Sequence, residues 1–267
     1  MTRTWDIART FALKDLRIAW SYRLSFVLGI GATLYGLVSF RFISKVVGHG
    51  GVVGSADDYF RFVVVGLALS GVLRAATESA SDNARRDQVE GTLEILATQP
   101  VSVTALGLAW SAWPVFEAIV DGALTLVLAI PLGFAVSPNW PAALLVLVLS
   151  ATVFISIGFV GAAAVLAFQQ GGKQITSIAL VAMTLVSGAV FPTSVLPDWL
   201  HVLTVISPLT YALDAMRAAI VDGDSLTHIG GDLLVLVGVT AAALPLSAAV
   251  LSAAFAFARR RGSLARF

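Results

Sequence analysis

Cysteine is absent from all 267 residues, which excludes disulfides, thiolate metal sites and thiol nucleophiles. Histidine is scarce. His49, His201 and His228 lie far apart with no ligand spacing, so neither a metal site nor a Ser-His-Asp arrangement is expected. Charge is scarce as well: 12% of residues are charged and 58% are hydrophobic, against about 25% charged in a typical soluble domain. With a mean hydropathy of +0.89, the chain has too little charge to cover a soluble fold, and lipid must solvate much of it. The net charge of +1 says nothing about partners. Of the three lysines, none completes a phosphate-binding loop of the G-x-x-x-x-G-K-S/T kind. Lys173 follows Gly172, but Gln174 comes next and Ala167 stands where the upstream glycine belongs. No catalytic residues and no cofactor of its own are therefore expected, and any ATP that drives this chain is hydrolysed by another subunit. The first 23 residues lack a continuous apolar core, so no cleavable signal peptide is expected there.

Long apolar runs are abundant. A membrane-spanning helix needs roughly 20 mostly apolar residues, and six segments qualify: 24–42, 59–76, 102–136, 140–168, 174–191 and 233–258. The second is the weakest, because its uncharged run from Phe62 to Leu73 is confined between Arg61 and Arg74. The third is interrupted by Glu117 and Asp121, which leaves open a pair of short legs bent at that point. With the N-terminus inside, Arg3, Arg9, Lys14, Arg17, Arg23, Arg74, Arg85, Arg86, Lys173, Arg259, Arg260, Arg261 and Arg266 fall on the cytoplasmic side. Arg41, Lys45, Arg61 and Arg217 fall outside. That excess of basic residues inside sets the orientation, and two basic tails on one side require an even number of spans. The expected fold is an all-α membrane protein with six transmembrane helices and both termini in the cytoplasm.

The segment before the first span is different. Trp5, Ala8, Ala12, Leu16, Ala19 and Trp20 recur at helical spacing, and Arg3, Asp6, Thr10, Lys14 and Arg17 take the opposite face. This pattern suits a helix lying in the membrane interface, or one packed on a soluble partner.

Three segments between or within spans carry candidate function. The stretch Glu78 to Pro100 is the longest charged cytoplasmic piece, and Val89, Leu93 and Leu96 fall at i, i+4 and i+7 within it. This predicts a short amphipathic helix closed by Pro100. Its apolar face rests either on the protein's own cytoplasmic ends or on a soluble partner. The outer segment from Pro192 to Asp232 is apolar and broken by Pro192, Pro197 and Pro208, which predicts short half-helices dipping into the outer leaflet. Asp214 and Arg217 stand three apart and are placed to pair. Glu117 and Asp121 share one helical face inside the third span. Carboxylates there face a pathway, or else sit near an interface or pair with an arginine such as Arg61 or Arg74.

Val89-Glu90-Gly91-Thr92-Leu93-Glu94, followed by Leu96 and Pro100, resembles the cytoplasmic motif of type-2 ABC exporter permeases. Ser187-Gly188-Ala189-Val190-Phe191-Pro192 through Leu196-Pro197 resembles that family's outer motif, as does Ser207-Pro208-Leu209-Thr210-Tyr211 with Arg217. The resemblance covers essentially the whole chain. It implies a single transmembrane domain over 1–267: an interfacial helix (1–23), spans one and two (24–76), a cytoplasmic coupling segment (77–101), spans three to five (102–191), a re-entrant outer segment (192–232), and span six with a basic tail (233–267). It implies that Val89, Glu90, Gly91, Thr92, Leu93, Glu94 and Leu96 couple to an ATPase. Phe191, Pro192, Leu196, Pro197, Pro208, Tyr211, Asp214 and Arg217 would form an outer gate. It also implies two permease copies, identical or paralogous, with two soluble ATPase subunits that carry the ATP and magnesium, all at the cytoplasmic membrane. The Phe191-Pro192 form resembles the drug and natural-product branch typified by daunorubicin exporter permeases, and so implies an amphipathic, hydrophobic or lipid-like substrate moved outward. Export of a polysaccharide or lipid-linked glycan is the alternative within the same machine. A proton-coupled secondary transporter using Glu117 and Asp121 is the alternative from another class.

Overall fold

A computed structural model of the protein describes residues 23–47, 54–99, 101–168 and 170–261. The expected interfacial helix over Trp5–Trp20 lies outside the described residues, as does Pro100. Every regular element described is helical. Helix α1 spans Arg23–Val47, α2 Ala56–Val89, α3 Thr92–Thr98 and α4 Val103–Ala129, the last extended by a 3-10 turn at Ile130–Leu132. Helix α5 spans Trp140–Phe168 and α6 Gln170–Val186. A 3-10 turn at Thr193–Val195 leads into α7, Asp198–Ile206, and α8, Pro208–Arg217. A π-helical turn at Ala218–Asp222 and the long α9, Gly230–Arg261, complete the order.

Five helices, α1, α2, α4, α5 and α9, are long and apolar enough to cross a membrane. The uninterrupted run 140–168 gives a helix with those same bounds. Segment 102–136 forms one continuous helix through Glu117 and Asp121, with Pro114 inside it, and not two legs. Pro114 costs α4 one backbone hydrogen bond, and the helix passes it without ending. The expected fifth span is shorter than the sequence suggested. Helix α6 has 17 residues and stops at Val186, because the chain turns at Ser187-Gly188, where Gly188 has φ +76°. Phe191 therefore belongs to the outer segment and not to a span.

The second span departs most from expectation. It does not end near Ala76 but continues as one 34-residue helix to Val89. Its start is fixed by a capping box: the Ser55 hydroxyl accepts from the Asp58 N–H at 3.2 Å, and the Asp58 carboxylate accepts from the Ser55 N–H at 3.1 Å. Arg41 in the last turns of α1 pairs with Asp57 at 2.6 Å, closing that end of the α1–α2 hairpin. Helix α2 is the hub of the bundle, packed by α4, α5, α6, α8 and α1. In its most apolar window 61% of residues are buried, against 11% in α1 and α4. Its weak signal in the sequence comes from Arg61 and Arg74, which bracket the short uncharged run; mostly exposed α1 has the same mean hydropathy of 1.5.

Two apolar clusters hold the helices together. One runs from the middle of the bundle to the α8 end, around Phe60, Leu69, Phe154, Leu213 and Leu236. The other lies at the α3 end of the bundle, around Leu93, Trp110, Phe159, Leu251 and Phe255. Between them α2 and α5 approach closely at Gly158, where a Cβ would stand 2.7 Å from the Ala76 carbonyl oxygen and 2.9 Å from that of Thr77. Tight backbone approach at small residues is how helices associate where lipid supplies no hydrophobic drive.

Candidate functional site

At the end of the bundle expected to face the cytoplasm, the chain leaves α2 through Glu90 and Gly91. Gly91 is left-handed (φ +72°), a conformation that glycine adopts without a Cβ penalty. This break puts Val89 on a different helix from Leu93 and Leu96. The single amphipathic face expected over those three residues does not form. Leu93 is fully buried in the second apolar cluster, Leu96 is half-buried, and Val89 is 47% exposed. The apolar side of α3 therefore rests on the protein's own helix ends. The opposite side, with Glu90, Glu94 and Ile95, is exposed, Ile95 at 63%. Thr92 and Gly91 are half-buried between the two sides.

The joint is fixed by a residue that sequence reasoning did not single out. Asp87, on the last turn of α2, accepts the Thr92 hydroxyl on one carboxylate oxygen at 3.0 Å and the Trp110 indole N–H on the other at 2.8 Å. Asn83, one turn earlier, donates to the Trp110 carbonyl at 2.7 Å. Helices α2, α3 and α4 are thus pinned at one point. Further along, Lys173 at the start of α6 pairs with Asp82 at 2.8 Å, and Arg74 pairs with Glu78 at 3.0 Å.

The opposite end, expected to face outward, is built around Arg217. Its Nη2 donates to the carbonyls of Gly188 at 2.8 Å and Ala189 at 3.3 Å, and its Nε donates to Phe62 of α2 at 3.3 Å. The guanidinium lies 3.5 Å from the centroid of the Phe62 ring, within cation–π range. Asp214 sits 3.4 Å away on the exposed side, so the pair expected from the spacing of three is present. Burial pulls Arg217 down to about 10, with the Asp214 carboxylate opposing, and leaves it protonated at neutral pH. Gly66 admits this arrangement: a Cβ there would collide with the Ala189 carbonyl oxygen. The prolines do what their geometry allows. Pro192 and Pro197 stand immediately before short helical turns, and Pro208 opens α8 at its first position. Tyr211 donates to the Val205 carbonyl at 2.8 Å, tying α8 back to α7. Leu196 ends the 3-10 turn half-buried, and Phe191 is 41% exposed.

Glu117 and Asp121 fall on one face of α4, and both are exposed on the surface of the single chain. Arg74 is committed to Glu78. Beside them, on the next face of α4, a wholly apolar crevice of about 200 Å³ opens between α4 and α5 with α2 as its floor. Ile119, Leu126, Leu69, Val72, Leu144 and Leu147 line it, and Trp140 stands at its rim.

A bundle of apolar helices with a short helix pinned beneath it and a proline-broken cap above is the frame of a membrane permease. Residues 14–221 match the family described as ABC-2 type transporter, and the chain belongs to that family. Among curated relatives, Nodulation protein J of Sinorhizobium fredii is 29% identical over 181 residues, covering 66% of this chain and 68% of the relative. Nodulation protein J of Rhizobium meliloti is 27% identical over 68% of this chain and 70% of its own length. That of Azorhizobium caulinodans is 27% identical over 70% and 74%. The chain is thus a multi-pass membrane subunit of a family that works with a separate ABC ATPase.

Proposed function

We propose that this chain is the permease half of an ATP-driven exporter, in which two copies, identical or paralogous, assemble with two ATPase subunits that carry ATP and magnesium. The observation that carries the reading is the two-sidedness of α3: Leu93 is sunk into the bundle while Glu90, Glu94 and Ile95 stand free at its cytoplasmic end. A short helix held by its own bundle on one side and bare on the other passes on a push better than a loop does. In this reading α6 also crosses the membrane, fifth in chain order, and brings the crossings to six. Its 17 residues stand at the lower limit of about 17 for a span, and both termini lie in the cytoplasm. Helices α7 and α8, with Phe191, Pro192, Leu196, Pro197, Pro208, Tyr211, Asp214 and Arg217, form the outer gate. The apolar crevice beside α4 favours an amphipathic or lipid-like substrate over a fully polar glycan. Native mass spectrometry of the complex extracted gently from its own membrane tests the assembly. Two permease copies with two ATPase-sized subunits are expected. A permease that comes out alone under several extraction conditions overturns the reading and moves weight to proton coupling.

Glu117 and Asp121 are assigned to the pathway. A charged carboxylate inside a span costs about 2.5–3.5 kcal/mol on the insertion scale, so an exposed face that carries two of them turns to water or to the second copy. The Glu117→Gln, Asp121→Asn double variant is expected to impair assembly with the ATPase or ATP-driven uptake of an amphipathic dye by inverted vesicles. Unchanged assembly and uptake would remove both residues from the mechanism.

A further inference from the structure

The two ends of the molecule described above are ends of one helix. Helix α2 runs unbroken for 34 residues without a proline, about 51 Å at ~1.5 Å per residue. At its cytoplasmic end Asp87 holds α3 through Thr92 and α4 through Trp110. At its outer end the Phe62 carbonyl and ring hold Arg217, which in the same grip takes the carbonyls of Gly188 and Ala189 from the turn after α6. Gly66, one turn below Phe62, supplies the space into which the Ala189 carbonyl seats. Three backbone carbonyls from two separate segments converge on one guanidinium. That is more than pairing with Asp214 requires, and Asp214 lies on the exposed side of the group. Arginine suits such a site because its donors form a planar, pre-organised fork, whereas a lysine ammonium is a point charge on a flexible stem.

We infer that Arg217 is a positioning residue that locks the outer helices to α2, so that α2, tied to α3 by Asp87, carries displacement from the ATPase side to the exit as one rigid rod. The inference rests on the reading of α3 as the ATPase-docking helix. It differs from a gate that opens on substrate contact, because here the outer segment follows α2 whether or not substrate is present.

The test uses the full permease–ATPase complex in lipid nanodiscs. The chain has no cysteine, so Trp199→Cys on α7, where the native side chain is 72% exposed, gives a single outer label. The labelling rate with a polar maleimide is measured with and without ATP-vanadate trapping, in the absence of substrate. With Arg217 intact, trapping is expected to change the rate several-fold. In Arg217→Lys, which keeps the charge and the Asp214 pair but not the three-carbonyl grip, the ATPase still co-purifies and most of that response is lost. Gly66→Ala, which displaces the Ala189 carbonyl and alters no charge, is expected to show the same loss. A full response in either assembled variant overturns the inference. Failure of the ATPase to assemble with the permease that carries Arg217 and Gly66 unchanged would instead overturn the docking reading beneath it. A merely structural Arg217 would lower assembly and response together, and not the response alone.

Discussion

Leu93→Ala will cost the permease its stability, and Glu94→Lys will cost it the ATPase while leaving it folded. The two residues are neighbours in sequence on a seven-residue helix, yet they face opposite worlds. Leu93 is fully buried among Ala84, Leu106, Phe159 and Leu251, contributed by α2, α4, α5 and α9. Removing its isobutyl group leaves a cavity that four helices cannot close together, and buried leucine-to-alanine changes cost about 2–5 kcal/mol. The expected result is a clear fall in the unfolding temperature of the purified permease. Glu94 is exposed, so its reversal to lysine disturbs no packing and acts only on a docked partner. Titration of the ATPase onto the variant is expected to show at least a tenfold weaker affinity, ~1.4 kcal/mol. If Glu94→Lys binds the ATPase as the native chain does, the docking face of α3 has been assigned to the wrong side.

The second large effect is at Gly158. A methyl group there meets backbone and not a flexible side chain: the Ala76 carbonyl at 2.7 Å and the Thr77 carbonyl at 2.9 Å. Neither moves without moving α2 itself, so α2 and α5 must separate along their most extensive contact. Overpacking of this kind costs about 1–3 kcal/mol, and in lipid no hydrophobic drive draws the helices back together. Gly158→Ala is therefore expected to melt well below the native protein in detergent. Gly238→Ala in α9 is the control. A Cβ there meets nothing within 4 Å, and in a helix alanine is favoured over glycine by about 1 kcal/mol. Equal melting of the two variants would refute the close approach.

How far the sequence could be read depended on what each segment faces. Segment 140–168 is apolar and uncharged along its length, and its helix has those bounds. Segment 59–76 was the faintest because Arg61 and Arg74 confine its uncharged run to residues 62–73, and the charge past it belongs to the same helix. The continuation of α2 to Val89 was hidden for a related reason: charge past Ala76 reads as a loop when the helix carrying it leaves the membrane. In the coupling segment the apolar spacing of Val89, Leu93 and Leu96 suggested one helix, but Gly91 divides it. Glycine alone does not announce a left-handed residue. Asp87 could not be found, because its partner Trp110 is 23 residues away on another helix and the pairing depends on how the two helices are rotated. Asp214 and Arg217 were legible from their spacing. The carbonyls of Phe62, Gly188 and Ala189 were not, since a backbone acceptor leaves no mark on residue identity.

The length of α2 also sets how far the docking face stands from the lipid. About 30 Å of a span is taken up by the hydrocarbon core, and α2 has roughly 20 Å left over at ~1.5 Å per residue. In the proposed orientation part of that excess lies on the α3 side, which puts Glu90 and Glu94 at or beyond the headgroups, where salt screens charge within about 8 Å. The negative surface potential of the inner leaflet decays over that distance. Two acidic residues held against the headgroups would be repelled by anionic lipid, and their partner's basic groups would be drawn away to it. In the proposed assembly, the contact between permease and ATPase therefore answers more to the ionic strength of the cytoplasm than to the lipid composition of the membrane.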